Sequence, residues 1–130
     1  MPSPDPVTAD SSTKETAKIV AAQNDAFRKA SLGLAVDGAI PSGQVVMTQG
    51  IVQQTDAFKH TLFAAIAAYD TFNEESDPYG WHEMGVIEIA GETVWFKLDL
   101  YDSDYHYGSP DPTNLEVTRR VMTILLPSEY

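Results

Sequence analysis

Two spacings of apolar residues alternate along the chain. A spacing of three to four residues predicts a helix from Thr13 to Ser31, and Ser12–Glu15 has the Ser-x-x-Glu spacing of a capping box at its start. The same spacing returns after Thr55, which can cap a second helix running to Phe72. The apolar stripe of this second helix consists of Phe58, Leu62, Ala65, Tyr69 and Phe72. We therefore expect two helices, of which the second contributes most to the core.

A spacing of two residues predicts the strands. Gln44–Gln49 is a short strand that Gly50 stops, and Arg119–Leu126 is a final strand that Pro127 closes. Trp81–Ile89 and Thr93–Tyr101 form a hairpin around the turn Ala90-Gly91-Glu92, because glycine tolerates the positive φ of such turns. Ile89 and Val94 are expected to lie close across this turn. In the second arm Val94, Phe96, Leu98 and Leu100 alternate with Trp95, Lys97, Asp99 and Tyr101.

The resulting order, α-β-α-β-β-β, predicts an α+β fold in which an antiparallel sheet of about four strands carries two helices on one face. Residues 1–12 are rich in proline and small polar residues, and they are expected to form a disordered N-terminal tail. Residues 13–130 then make a single domain. Phe58, Phe72, Phe96 and Trp95 are expected to belong to its core. The chain has no cysteine, which excludes disulfides, thiolate zinc sites and a cysteine nucleophile.

The sequence gives no sign of export or membrane insertion. Met1–Pro6 lacks the basic and apolar regions of a secretion signal. The longest apolar run, Leu62–Ala68, is far shorter than the roughly 20 residues that cross a membrane. We expect a cytoplasmic protein that makes no contact with membranes.

The acidic residues are unevenly distributed. The chain carries a net charge of −11, from 8 basic and 19 acidic residues. The segment Asp70–Asp111 holds eleven acidic residues and one basic residue, Lys97, so −10 of that charge lies in it. Direct binding of nucleic acid needs clustered lysine and arginine and is therefore not expected. Either the acidic residues attract a basic protein partner, or they serve only solubility.

One group of side chains has the chemistry of metal ligands. Its members are His82, Glu83, Asp99, Asp102, Asp104 and His106. Carboxylate and imidazole groups suit zinc, manganese or iron. The spacing matches no ligand motif, however, and the glycine and glutamate of a calcium-binding EF-hand loop are missing. The alternative interpretation makes these residues ordinary loop acids and turn-forming aspartates, and we assign no cofactor.

His82 is also a candidate for acid–base chemistry, with Glu83 or Asp99 as the group that orients its ring. No nucleophile elbow, phosphate loop or dinucleotide-binding motif accompanies it. In the alternative interpretation His82 ties the acidic connector Asn73–Gly80 to the hairpin through hydrogen bonds. The sequence favours this structural role.

Several motifs together resemble a known family. They are Asn24–Arg28, Val46–Gly50, Asp77–Gly85, Trp95–Asp102, Ser109–Pro112, Thr118–Leu125 and Glu129–Tyr130. Over residues 18 to 130 the chain resembles a family of small bacterial proteins of unknown function, often carried on plasmids and other mobile elements. The resemblance implies a fold and a genomic setting, and it implies no activity and no catalytic residues.

The acidic segment also contains aromatic residues, which are enriched in protein interfaces. Asp99 and Tyr101 share a strand face with Trp95, and the flanking loops bring further acids. The candidate protein-binding residues are Asp77, Tyr79, His82, Glu83, Asp99, Tyr101, Asp102, Asp104 and Asp111. A surface of this kind can stand in for nucleic-acid phosphates as a DNA mimic.

Charge and family setting together predict an acidic protein-binding module. We expect a mobile-element accessory protein that inhibits a host nucleic-acid-targeting defence protein, with a nuclease or another nucleic-acid-binding protein as its basic partner. One alternative is a small metal-dependent enzyme that uses His82 and the Asp99–His106 cluster. Another is a structural or regulatory module that pairs with a second protein. The sequence favours binding over catalysis, and it leaves the identity of the partner and the oligomeric state open.

Overall fold

A computed structural model describes the backbone of residues 6–130 and the side chains of residues 13–130. The elements are α1 (Pro6–Ser31), β1 (Gly43–Met47), α2 (Gln49–Val52), α3 (Asp56–Ala67), β2 (Met84–Ile89), β3 (Glu92–Tyr101) and β4 (Arg119–Leu125), with single 3-10 turns at Leu115–Val117 and Pro127–Glu129. The α+β class and the four strands are as predicted. The short helix α2 was not predicted, so the order α-β-α-β-β-β is incomplete.

The four strands form a mixed sheet in the order β1-β4-β3-β2. The β2–β3 and β3–β4 pairs are antiparallel, whereas β1 pairs with β4 in parallel, from Gly43 opposite Arg120 to Met47 opposite Ile124. The prediction of an antiparallel sheet is therefore wrong. A parallel pair needs a long crossover connection, and residues 48–118 supply it by carrying α2, α3 and the β2–β3 hairpin between the two strands.

Helix α1 begins at Pro6 and not at Thr13, so the predicted capping box at Ser12–Glu15 lies inside a continuing helix. Proline suits a first helical position because its fixed φ matches the helix and its missing N–H has no partner there anyway. Of the predicted N-terminal tail, residues 1–5 lie outside the described residues, and residues 6–12 belong to α1.

Helix α3 has the predicted cap, since the Thr55 hydroxyl accepts a hydrogen bond from the Phe58 N–H at 3.1 Å. It ends at Ala67 and not at Phe72. Tyr69 and Phe72 nevertheless pack on the core, where both rings meet Phe96 edge to face. The predicted stripe is thus real as a packing surface, although its last two residues follow the helix.

The hairpin turn is formed by two residues, Ala90 with φ 50° and Gly91 with φ 82°. Two consecutive positive φ angles are the signature of a type I′ turn, which matches the twist of the strands it joins. The predicted turn position of Gly91 is confirmed. Val94 pairs with Ile87, and Ile89 lies two pairs closer to the turn, opposite Glu92, so Ile89 and Val94 are not a directly opposed pair.

The core lies between the helices and one face of the sheet. Its buried residues are Phe27, Ile51, Leu62, Ile66, Ile87, Val94, Phe96, Leu98, Met122 and Ile124. The alternation predicted for β3 is present, because Val94, Phe96 and Leu98 are buried and the residues between them are not. Trp95, predicted to be a core residue, lies on the other face of the sheet, with its ring 5.7 Å from that of Tyr130.

Candidate functional site

Asp77 builds the turn at the end of the acidic connector between α3 and β2. Its carboxylate accepts hydrogen bonds from the backbone N–H groups of Trp81 at 3.0 Å and His82 at 3.1 Å. The chain can turn tightly there because Gly80 and His82 have positive φ angles. Asp77 is only 5% exposed. This predicted binding residue therefore acts inside the fold, where its charge is satisfied by backbone donors.

His82 ties this turn to α1. Its Nδ1 atom lies 3.0 Å from both carboxylate oxygens of Asp25, which can only accept, so Nδ1 carries the proton. The ring stacks on Phe72 at 4.2 Å with an interplanar angle of 2°. The structural interpretation of His82 was correct in kind, but its partner is α1 and not the hairpin. Asp25 was not among the candidate residues, and its i,i+3 spacing to Arg28 is the local signal that could have indicated it.

Arg28 is a second partner of Asp25. Its Nη1 donates to Asp25 at 2.8 Å, while Nε and Nη2 each donate at 3.0 Å to the carbonyls of Ile66 and Tyr69 at the end of α3. The guanidinium lies over the Phe72 ring, 5.4 Å from its centroid. A fully buried arginine thus caps the C-terminus of α3, where a positive charge is favourable.

A second buried arginine extends these contacts to the sheet. Arg120 Nε donates to the side-chain oxygen Oδ1 of Asn24 at 2.7 Å, and the side-chain Nδ2 of Asn24 donates to the backbone carbonyl of Trp81 at 2.9 Å. Burial lowers the pKa of Arg120 to about 10. Its Nη1 atom has no hydrogen-bond partner among the described residues. We call Asn24, Asp25, Arg28, Asp77, His82 and Arg120 the buried polar network.

Glu83 follows this network and is half-buried. Burial is the largest cause that raises the pKa of Glu83, and repulsion from Asp77 and, to a smaller extent, from Asp99 raises it further. The structure therefore brings three of the predicted carboxylates within electrostatic reach of one another, at the junction between the connector and β3. Asp99 is in turn paired with Lys97 at 2.8 Å.

Glu83→Gln is expected to raise the melting temperature at about pH 7 and to leave it unchanged at about pH 3.5. The folded-state pKa of Glu83 lies above the ordinary value of 4.5, so its ionised form costs stability, and the cost appears as the pH rises from 4.5 through the folded-state pKa. Thermal melts of both proteins at the two pH values measure this. Glu92→Gln, at an exposed position, is the matched control. A lower melting temperature at neutral pH would contradict the repulsion.

Asp102 organises the loop after β3. Its carboxylate accepts from the N–H groups of His106 at 3.0 Å and Asp104 at 3.2 Å, while its own N–H donates to the Tyr107 carbonyl at 2.8 Å. The hydrogen bond from His106, followed by those from Tyr107 and Asp104, lowers the pKa of Asp102. Asp102 therefore remains ionised and holds a compact loop that exposes Asp104 and Tyr107.

The remaining predicted residues lie apart. Tyr101 packs near Tyr105, with ring centroids 6.4 Å apart. Asp111 lies in the next loop, where it accepts from the Thr113 N–H and hydroxyl. Tyr79 is exposed on the connector beside Trp81. The nine candidates thus lie in three places: the connector, the end of β3 with the loop that follows it, and the loop that contains Asp111. The first two places are close to each other, because Glu83 interacts electrostatically with both Asp77 and Asp99.

The candidate metal ligands do not come together in the part of the chain that the structure describes. Among those residues no three histidine, aspartate or glutamate side chains lie close enough to hold an ion. The physical reason is that the ligands are already engaged elsewhere: His82 with Asp25, Asp99 with Lys97, and Asp102 with its own loop. The candidate site is therefore an acidic and aromatic surface anchored on a buried polar network.

Comparison with known families places the chain. A family model described as a protein of unknown function (DUF3768) matches residues 47–129. The chain belongs to the DUF3768 family. No curated protein and no solved structure matches it. The DUF3768 match includes all nine candidate residues and Arg120, and it leaves α1 with Asn24, Asp25 and Arg28 outside. Within residues 6–130, no helix has the length and apolar character needed to span a membrane.

Proposed function

We propose that this DUF3768 protein binds a basic protein partner through its acidic surface. The supporting observation is that the −10 charge of Asp70–Asp111 is presented outward. Of the eleven acidic residues in this segment, only Asp77 is buried. The others keep at least part of their side chain in contact with solvent, so their combined field reaches an approaching partner.

This charge is also poorly compensated by the protein itself. Among the described side chains, Asp99 is the only acid of the segment in an ion pair, with Lys97. Uncompensated surface charge accelerates association with an oppositely charged protein and favours the correct partner. The tyrosines around Asp102 and Asp104 add the aromatic area that protein interfaces use.

The acidic surface can take the place of nucleic-acid phosphates in a basic channel. The proposed role is therefore that of a cytoplasmic accessory protein of a mobile element, which inhibits a host nucleic-acid-targeting defence protein. Two observations support it: the concentration of charge in one segment, and the family resemblance with the genomic setting that it implies.

Converting Asp99, Asp102 and Asp104 together to asparagine is expected to slow association with the partner by at least about tenfold at low salt. Asparagine keeps the acceptor that Asp102 uses in its loop, so the fold is expected to persist. The partner is first captured from host lysate at low and at raised salt, and association rates are then measured by surface plasmon resonance. Duplex DNA should compete with this protein for the partner if the acidic residues mimic phosphates.

The matched control is the triple variant Glu15→Gln, Asp37→Asn and Glu116→Gln, which removes the same charge from exposed positions outside the acidic segment. Its association rate is expected to fall by less than about threefold, because only the overall charge changes. If the variant with asparagine at positions 99, 102 and 104 keeps the full association rate, the binding site lies elsewhere on the protein. Absence of any salt-sensitive partner would leave solubility as the role of the acids.

A further inference from the structure

The sheet face opposite the helices carries an apolar patch. The strand pairing places Val46, Thr123, Lys97 and Met84 in one row across the four strands, with Trp95 and Val86 paired in the next row. Val121 lies on the same face, opposite Asp99. Tyr130 folds over Trp95. We call the residues Val46, Met84, Val86, Trp95, Val121 and Tyr130 the outward apolar face.

Several apolar side chains on this face are exposed to solvent, as is typical of a surface that binds a partner. Val46 and Val86 are both 41% exposed, and Tyr130 is 81% exposed. A sheet face that meets water is normally lined by polar residues, in alternation with the apolar residues of the buried face. Among the described residues the core, with its side chains from α1, α2 and α3, lies on the other face. Exposed apolar patches mark interaction sites. Here Val86, Trp95 and Tyr130 adjoin one another, and Val46 lies on the opposite edge strand, separated from Met84 by Thr123 and Lys97.

The charges around the face indicate the chemistry of the occupant. In its centre Lys97 is paired with Asp99, so these two residues contribute no net charge there. Arg119 lies at the end of the face, opposite Tyr101, where its guanidinium donates to three backbone carbonyls, the nearest being that of Thr118 at 3.0 Å. Among the described residues, acids without an ion pair lie at the two ends of β3. Glu88, which accepts from the Thr93 hydroxyl, lies near the hairpin turn, and Asp102, which accepts from N–H groups of its own loop, lies with Asp104 beyond Tyr101.

The spacing of these acids sets the length of the occupant. Thr93, which pairs with Glu88, precedes Asp102 by nine positions along the extended chain. At roughly 3.3 Å per residue they are about 30 Å apart. That is the length of a helix of about 20 residues. A helix with an apolar stripe and basic residues near both ends would match this face in polarity, charge and length.

We propose that the outward apolar face binds an amphipathic helix of the basic partner, aligned along β3 with its apolar stripe over Trp95. Basic residues near its two ends meet Glu88 at one side and Asp102 and Asp104 at the other. This inference rests on the proposed function and assigns the surface and the kind of element that the partner contributes.

The test uses a synthetic peptide of about 20 residues with leucines on one helical face and lysines near both ends. Its affinity is measured by isothermal titration calorimetry at low salt against wild type and the double variant Val46→Gln/Val86→Gln. The variant is expected to bind at least tenfold more weakly. The control Ile19→Gln/Val52→Gln changes residues that are 41% and 48% exposed on the helices, and it should bind within twofold of wild type. Circular dichroism melts verify that all three proteins fold.

A second peptide with glutamine in place of leucine keeps the charge and removes the apolar stripe. It should bind wild type at least tenfold more weakly than the first peptide, and amide shift changes caused by the first peptide should concentrate on the outward residues of β1, β2, β3 and β4. Equal, salt-sensitive binding of both peptides would overturn the helix-docking inference and leave the acidic surface as the binding site. If no basic probe binds, and host lysate yields no salt-sensitive partner, the proposed function fails as well. Self-association of wild type that the double variant abolishes would assign the face to a second copy and overturn this inference.

Discussion

Arg28→Leu is expected to lower the free energy of unfolding by about 3–5 kcal/mol. Arg28 is buried and donates to Asp25 and to the carbonyls of Ile66 and Tyr69. Leucine fills much of the same volume but leaves both carbonyls unpaired and Asp25 with His82 as its remaining partner. A domain of this size has about 5–15 kcal/mol of stability, so the variant is expected to lose a large part of it.

Urea unfolding followed by far-UV circular dichroism measures this loss. The control is Lys18→Leu, which removes a positive charge from an exposed position of the same helix and should change the free energy of unfolding by less than about 0.5 kcal/mol. Arg28→Lys is expected to lie between wild type and Arg28→Leu, because an ammonium group keeps the charge but cannot span all three acceptors. A loss below about 1 kcal/mol for Arg28→Leu would show that the end of α3 does not depend on this capping.

Gly43→Ala is expected to destabilise the protein by about 3 kcal/mol. A Cβ atom at Gly43 would overlap the carbonyl oxygen of Arg120 and come within 2.7 Å of the Phe27 ring. A backbone carbonyl cannot rotate away as a side chain can, so β1 must separate from β4 at this end. Hydrogen exchange is therefore expected to show lost protection in β1, together with a lower melting temperature.

Gly108→Ala is the control for that experiment. An added Cβ at Gly108 meets no atom within 4 Å, and Gly108 is not among the glycines with positive φ. Its melting temperature should stay close to that of wild type. If Gly43→Ala has the melting temperature of wild type and β1 stays protected from hydrogen exchange, the parallel pairing of β1 with β4 is wrong.

The hairpin and helix α3 were predictable because their signals are local. Thr55 lies three residues before the N–H that it caps, and Gly91 lies at a turn whose strands adjoin it in sequence. The parallel pairing of β1 depends on contacts between residues 43–47 and 120–124, and no local pattern reports them. A sequence with one short first strand is equally compatible with either direction at the sheet edge.

The buried polar network was missed for a related reason. In sequence, Asn24, Asp25 and Arg28 resemble the solvated side of an amphipathic helix, because polar residues at that spacing usually face water. Asn24 and Arg28 are buried and Asp25 is half-buried, because their partners come from the connector, α3 and β4. Asp77 was assigned to the surface for its charge, although a carboxylate surrounded by backbone N–H groups can be buried at low cost. The Asp25–Arg28 spacing was the one available signal.

The network also fixes the shape of the surface that a partner would meet. The connector is held at Asp77 by the turn and at His82 by α1, and the loop after β3 is closed by Asp102. Acids on restrained segments lose little conformational entropy on binding, which favours affinity beyond the effect of charge alone.

The position of β4 governs when the protein can fold. This strand is the last in sequence, yet it lies between β1 and β3 and contributes the fully buried residues Met122 and Ile124. During synthesis β1 has no strand to pair with until residue 125 has been made, and one edge of β3 stays open for as long. Closing the sheet then requires a contact across more than 70 residues, from Gly43 to Arg120, and such long-range closure slows folding. A nascent chain therefore exposes its apolar strands until translation of this domain is nearly complete, the interval in which chaperones protect such chains.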